Sequence, residues 1–94
     1  MSKKAPKYTF NIQTKRGAYE AVFKWDDKDK AYIVTVPSLP DVFTFGKSII
    51  KAKRMAKDAI EVYCDSLIEG GKIIIDDQKR VFGNIPTSRI INVR

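Results

Sequence analysis

Residues 32–48 read Tyr32-Ile33-Val34-Thr35-Val36-Pro37-Ser38-Leu39-Pro40-Asp41-Val42-Phe43-Thr44-Phe45-Gly46-Lys47-Ser48. The β-branched run Ile33–Val36 has strand composition and stops at Pro37, which has no N–H to give a sheet. Each proline also drives the residue before it toward extended geometry, so Val36 through Pro40 forms a stiff connector that holds Leu39 in one direction. Two readings of Leu39 follow: a core residue under a rigid strand–strand corner, or a knob turned toward a partner. A second apolar run, Val42–Phe45, comes next. Gly46 breaks it, and Ser48 can open a helix.

The helix predicted over Ser48–Glu69 is the strongest periodic signal in the chain. Ile49, Ala52, Ala56, Ala59, Ile60, Tyr63 and Leu67 fall within roughly a 100° arc at about 3.6 residues per turn. Three alanines in that stripe let the helix lie close to a sheet, and Gly70-Gly71 supplies the stop. Lys47, Lys51, Arg54, Asp58, Glu61 and Asp65 take the opposite face. Their order opposes the helix dipole, with Lys47, Lys51, Lys53, Arg54 and Lys57 first and Asp58, Glu61, Asp65 and Glu69 last. Lys47, Lys51 and Arg54 at a helix start make a candidate anion site. The plainer alternative is a solvated face paired along the helix as Arg54–Asp58 and Lys57–Glu61.

Upstream of the quoted stretch, Tyr8–Ile12 and Tyr19–Trp25 alternate in strand fashion around a Lys15-Arg16-Gly17 turn. Asp26–Lys30 is a polar hairpin loop that returns into Ala31–Val36. Phe23 or Trp25 should face the core, because both alternate with the charged Lys24. Downstream, Ile73–Ile75 and Ile90–Val93 have strand composition, separated by turn signals at Asp76-Asp77 and Gly83-Asn84.

The chain has 94 residues, which suits a single domain, with Met1–Lys7 a basic, flexible tip and residues 8–94 the folded unit. No apolar run approaches membrane-spanning length and no apolar signal region follows the basic tip, which predicts a cytoplasmic protein. The single cysteine, Cys64, has no partner for an internal disulfide, and the helical pattern places it half-buried and inert. The net charge of +7 is uneven: residues 1–30 carry eight Lys/Arg against four acids, while Asp41 is the only charge in 31–46. With no histidine, the commonest general base and metal ligand is missing. Neither a nucleophile elbow, a P-loop nor a dinucleotide fingerprint occurs. The acids do not converge as a two-metal nuclease requires: Asp26, Asp27 and Asp29 crowd one loop, Asp76 and Asp77 one turn, and Glu20 is the acid that the strands offer. The chain is therefore expected to be no enzyme and to need neither cofactor nor metal.

The order of features resembles the HicB family of antitoxins, in which a strand ends in Pro-Asp-Leu-Pro-Gly and a Thr-x-Gly-[Asp/Asn]-[Thr/Ser] turn launches the main helix. The matching residues are Tyr32, Val34, Pro37, Leu39, Pro40, Thr44, Gly46, Ser48 and Ala52, within a stretch from Ala18 to Leu67. Ser38 and Asp41 stand where the family usually has Asp and Gly, and Lys47 and Lys51 where it usually has acids. The resemblance implies an α+β fold: a small, mainly antiparallel sheet of three or four strands with one long helix packed on one face, like a partial ribonuclease H. It also implies a partner, a HicA-type toxin that cuts mRNA and is usually basic, masked through Pro37, Leu39, Pro40, Phe43 and Phe45. Many members add a DNA-binding segment, but the 23 residues after Gly71 are too few for a helix-turn-helix.

Two readings of function stand side by side. One is a non-catalytic antitoxin. The other is a small basic nucleic-acid-binding module using Lys47, Lys51 and Arg54, or an orphan dimeric HicB-like protein without a toxin. In either case the edge strands of a small sheet invite pairing, and Ile90, Ile91 and Val93 are the candidates for a homodimer contact.

Overall fold

The computed structural model describes residues 6–83. Four strands, β1 (Lys7–Thr14), β2 (Gly17–Asp26), β3 (Ala31–Thr35) and β4 (Phe43–Gly46), form one antiparallel sheet in the order β1-β2-β3-β4. One helix, α1 (Ile49–Glu69), packs on one face, and a short hairpin of β5 (Ile74–Ile75) and β6 (Val81–Phe82) follows. This is the expected α+β architecture, with the sheet at its four-strand limit.

Register decides what each face carries. Phe10 pairs with Ala21, Phe23 with Val34, and Val34 with Thr44, so these side chains share the helix side. Phe23 and Val34 are fully buried there, and the Phe10 ring meets Phe23 edge-on at 5.1 Å. The β2–β3 loop turns through Lys30 at φ 53, with Asp26 accepting from the Lys28 N–H at 3.1 Å. Trp25 stands only half-buried, leaning edge-on against Tyr32 and donating to Asp27, so of the two aromatic candidates Phe23 is the core residue.

Ser48 caps α1 by accepting the Lys51 N–H at 3.2 Å. The reciprocal acid of a capping box is missing at Lys51, and the first turn has none. Ala52, Ala56, Ile60, Cys64 and Ile68 form the buried stripe. It is rotated from the expected one: Ala59, Tyr63 and Leu67 lie on its flank, and Cys64 is fully rather than half buried. Small Ala and Cys side chains bring the helix axis down onto the sheet along that line. At Gly46 the approach is closest, since a Cβ there would stand 2.5 Å from the Ala52 nitrogen.

The expected pairs Arg54–Asp58 and Lys57–Glu61 are not formed. Glu61 accepts the Lys15 N–H at 2.9 Å, and Asp65 pairs with Arg16 at 2.7 Å and Lys15 at 3.7 Å. The acids of the second half of α1 hold the β1–β2 turn instead of their helical neighbours. Arg16, and behind it Lys15, keep the Asp65 carboxyl below the usual carboxylate range against a weaker opposing effect of burial.

The strand expected at Ile73–Ile75 appears as β5 and the Asp76-Asp77 turn follows it, but its partner β6 was not expected, and Asp76 is the key to the hairpin. Asp76 is 3% exposed. Its Oδ2 accepts from the Ala18 N–H at 2.8 Å and from Arg80 Nε at 3.0 Å, and its Oδ1 from the N–H groups of Gln78 and Arg80. Burial pushes this carboxyl up, but the N–H groups of Ala18 and Arg80 and the Arg80 guanidinium outweigh it and hold it low. A Cβ on Gly17, which has φ +109, would stand 2.5 Å from the Asp76 Cβ. Only glycine admits the carboxylate to the start of β2.

Candidate functional site at the edge strand and its corner

The corner between β3 and β4 is built from two consecutive turns: Leu39 N–H donates to the Val36 carbonyl at 2.9 Å, and Val42 N–H to the Leu39 carbonyl at 2.8 Å. Pro37 and Pro40 lie on its outside, exposed, while Leu39 turns inward, 8% exposed, and joins the core. Of the two readings of Leu39, the structure selects the core anchor, and the knob is withdrawn.

Both unusual residues of this corner hold it in place. Ser38 Oγ donates to Asp77 Oδ1, while Asp77 Oδ2 accepts the Glu20 N–H at 2.7 Å. Asp41 Oδ2 accepts from the Tyr63 hydroxyl at 3.2 Å. Partial burial, and then this bond to a carboxylate, push the Tyr63 phenol upward. The corner is thereby tied on one side to the β5–β6 hairpin and on the other to α1.

Beyond the corner, β4 has β3 along one side and no strand along the other among the described residues. Phe43 and Phe45 point away from the helix and are 64% and 53% exposed. Their cross-strand neighbours are Thr35 and Ile33, and Val22 pairs with Thr35 one strand further in. The sheet face opposite α1 thus carries an apolar strip, Val22, Ile33, Phe43 and Phe45, that no described element covers. Around the free edge, between β4 and α1, runs a groove of about 520 Å³. Val42 and Thr44 lie along its strand side and Met55, Ala59 and Val62 along the helix. Among the described residues its charges are Asp41 and Asp58, and no Lys or Arg lines it.

The other candidate residues stand apart from this surface. Lys47, Lys51 and Arg54 are all exposed around the start of α1, and none forms an ion pair among the described residues. Ile90, Ile91 and Val93, and most of the Met1–Lys7 tip, lie outside the described residues. No group of three or more His, Cys, Asp or Glu with metal-ligating geometry occurs among the described residues. Cys64 lies at 3.8 Å from the Tyr19 hydroxyl, which itself donates to the Arg16 carbonyl. Burial pushes both the thiol and the phenol up, which suits a packed pair and not a nucleophile. The groove was missed in the sequence reading. Its signal is the pair Met55 and Val62, apolar residues that lie beside the stripe of Ala59 and Tyr63 and widen it toward the polar face.

A profile of the HicB-like antitoxins of bacterial toxin–antitoxin systems matches residues 19–81, from the second strand through the whole helix to the final hairpin. The chain belongs to the HicB-like antitoxin family. The matched span contains the corner, β4 and the groove. Among curated proteins, the UPF0150 protein Ta0767 of Thermoplasma acidophilum is 46% identical over 41 residues, which is 44% of this chain. That stretch spans 59% of the relative's length. No solved structure matches. No helix among the described residues of this HicB-like chain is long and apolar enough to cross a membrane.

Proposed function

We propose that this HicB-like protein is a non-catalytic, cytoplasmic antitoxin that binds a HicA-type mRNA-cutting toxin and masks its active site. The observation that carries the reading is the exposed pair Phe43 and Phe45 on a free edge strand, beside a corner fixed from two sides. Exposed aromatic side chains on rigid backbone are efficient anchors, because little conformational freedom remains to be lost on binding. The Pro37–Pro40 corner frames them, with Leu39 holding it from beneath.

Charge supports the same surface. A net charge of +7 would repel a basic toxin, yet residues 31–46 carry Asp41 alone. The corner and β4 thus offer a basic toxin a stretch of chain without cations, although Lys24 lies across from Ile33 on the same face of the sheet.

The test is toxin neutralisation in co-expression, with affinity measured on the purified pair. Phe43→Ala and Phe45→Ala should each weaken binding about thirtyfold, the equivalent of roughly 2 kcal/mol at an anchor. Lys51→Glu and Arg54→Glu should leave neutralisation intact, since rim charges act mainly on association rate. Leu39→Ala is a poor probe, because its effect passes through the fold. Full neutralisation by both phenylalanine variants would overturn the reading. Nucleic-acid retention at physiological salt that is lost in Lys51→Glu and Arg54→Glu would replace it with the nucleic-acid module.

A further inference from the structure

We propose that two copies of this chain pair antiparallel through β1, edge to edge, about a twofold axis at Phe10, joining two four-stranded sheets into one of eight strands. The inference is independent of the toxin reading, because β1 and β4 lie at opposite edges of the sheet.

β1 has eight residues against four in β4, and its outer side meets no strand among the described residues. The Trp25 N–H donates to the Pro6 carbonyl at 3.0 Å, which fixes the phase of the ladder with β2. Bonded pairs alternate from there. Tyr8, Phe10 and Ile12 therefore bond to β2, while Lys7, Thr9, Asn11 and Gln13 turn their N–H and C=O groups outward. Small sheets normally blunt such an edge with charges, a proline or a bulge. Tyr8-Thr9-Phe10-Asn11-Ile12-Gln13 has no charge and no proline, and its register with β2 is unbroken.

The occupant follows from what the edge can pair with. Outward groups must meet outward groups, and a twofold axis makes the edge its own complement. Centred on Phe10, the two Phe10 rings meet across the axis and Tyr8 faces the partner's Ile12. On the other face Thr9 lies opposite the partner's Asn11, and Lys7 opposite the partner's Gln13. Cross-strand aromatic and β-branched pairs of this kind stabilise a sheet, and Tyr8, 44% exposed and stacked on Phe10 at 6.1 Å, is covered by it. Centring on Asn11 would instead set Lys7 against the partner's Lys15, a like-charge pair. Centring on Thr9 shortens the pairing, since the partner's Ile12 would already face Pro6, ahead of the strand.

Charge opposes the union and gives it a signature. Each copy brings +7, and Lys53 stands 3.9 Å over the Phe10 ring, so two ammonium groups come near the axis. Salt screens exposed charges. This dimer should therefore tighten with salt, the reverse of a contact driven by ion pairs.

Sedimentation equilibrium and amide hydrogen exchange on the full chain test this. At hundreds of micromolar the native chain should be a dimer, at least tenfold tighter in about 0.5 M salt than in about 0.05 M. The Thr9, Asn11 and Gln13 amides should exchange at least tenfold more slowly there than in the diluted monomer, with β4 exchange unchanged. Asn11→Pro removes an outward donor and spares the ladder with β2. It should weaken the dimer at least tenfold with circular dichroism unchanged. Lys53→Gln should tighten the dimer, and no change there would overturn the Phe10 register. A monomer at every concentration and salt would overturn the proposal, as would a dimer whose protection falls on β4. Should Asn11→Pro unfold the chain, Thr9→Lys decides in its place: a cation set in the edge should weaken the dimer by the same margin, and an unchanged dimer overturns. Toxin neutralisation is a separate measurement, so failure here leaves that reading standing.

Discussion

At the Gly17 end of the sheet a carboxylate is buried with both oxygens satisfied, whereas along β4 two phenylalanines stand more than half exposed. Each region inverts the usual rule that acids face water and aromatics face the core. The inversion has a different physical basis in each. Asp76 is tolerated because N–H donors from two chain segments and a guanidinium replace its water. Phe43 and Phe45 have no such replacement: nothing among the described residues covers their exposed rings. A polar exception that is fully satisfied belongs to the fold, and an apolar exception left open belongs to binding. The comparison can be broken at either end by measuring stability and partner capture on the same variants.

The largest effect is expected at the buried end. Asp76→Ala would strand the N–H groups of Ala18, Gln78 and Arg80 and remove the partner of the Arg80 guanidinium. Loss of one member of a buried, hydrogen-bonded charge pair costs about 3 kcal/mol or more. Urea denaturation should show it as a lower midpoint with an unchanged slope. The same residue gives a pH signature. Its folded carboxyl titrates below its unfolded value of about 3.9, so its contribution is present above that value and lost as pH falls through the folded one. Stability of the native protein should fall below about pH 4, and Asp76→Asn should flatten that fall. A stability curve as steep in Asp76→Asn as in the native protein would remove Asp76 from the account.

Next in size is the contact between β4 and the start of α1. Gly46 ends β4 directly beneath the start of α1, and a methyl group there would press on the Ala52 backbone, which cannot swing away. Gly46→Ala should cost about 1–3 kcal/mol through overpacking. Glycine's unusual torsional freedom is not the reason, since Gly46 has no positive φ. Thermal unfolding measures the loss. A neutral result would mean that the helix start lifts easily from the strand, and that β4 is less firmly held than its corner.

The sheet and helix were legible because their signals are local. Prolines at 37 and 40, the β-branched run before them and the spacing of Ala52, Ala56 and Ile60 act within a few residues of one another. The phase of the helix was harder. Tyr63 and Leu67 are larger than Cys64, yet the smaller side chain faces the sheet, in line with Ala52, Ala56, Ile60 and Ile68. Of the β5–β6 staple, the Ile73–Ile75 strand and the Asp76-Asp77 turn were legible, but the two-residue β6 carries no period and Asp76 finds Ala18 across 58 positions of sequence. The Asp65–Arg16 pair is hidden for the same reason: turn and helix meet only after the sheet forms. In the candidate site, the phenylalanines and prolines were legible by type. The inward turn of Leu39 and the groove beside Asp58 depend on packing.

The smallest effect on stability, and the sharpest test of the comparison, is expected at Phe45. Its ring lies across Ile33 on the face without a helix and is more than half exposed. Phe45→Ser removes apolar surface that folding leaves largely in water, so the unfolding free energy should move by no more than about 0.5 kcal/mol. Removing an exposed aromatic ring also lowers any tendency of the free edge to self-associate, which light scattering would show as a smaller second virial attraction. Serine keeps a strand-compatible backbone, and register with β3 is held by Val34 and Thr44 on the buried face. Toxin capture should nonetheless fall about as far as for Phe45→Ala. If Phe45→Ser instead lowers stability as much as Asp76→Ala does, the ring is part of the fold and the contrast between the two regions disappears.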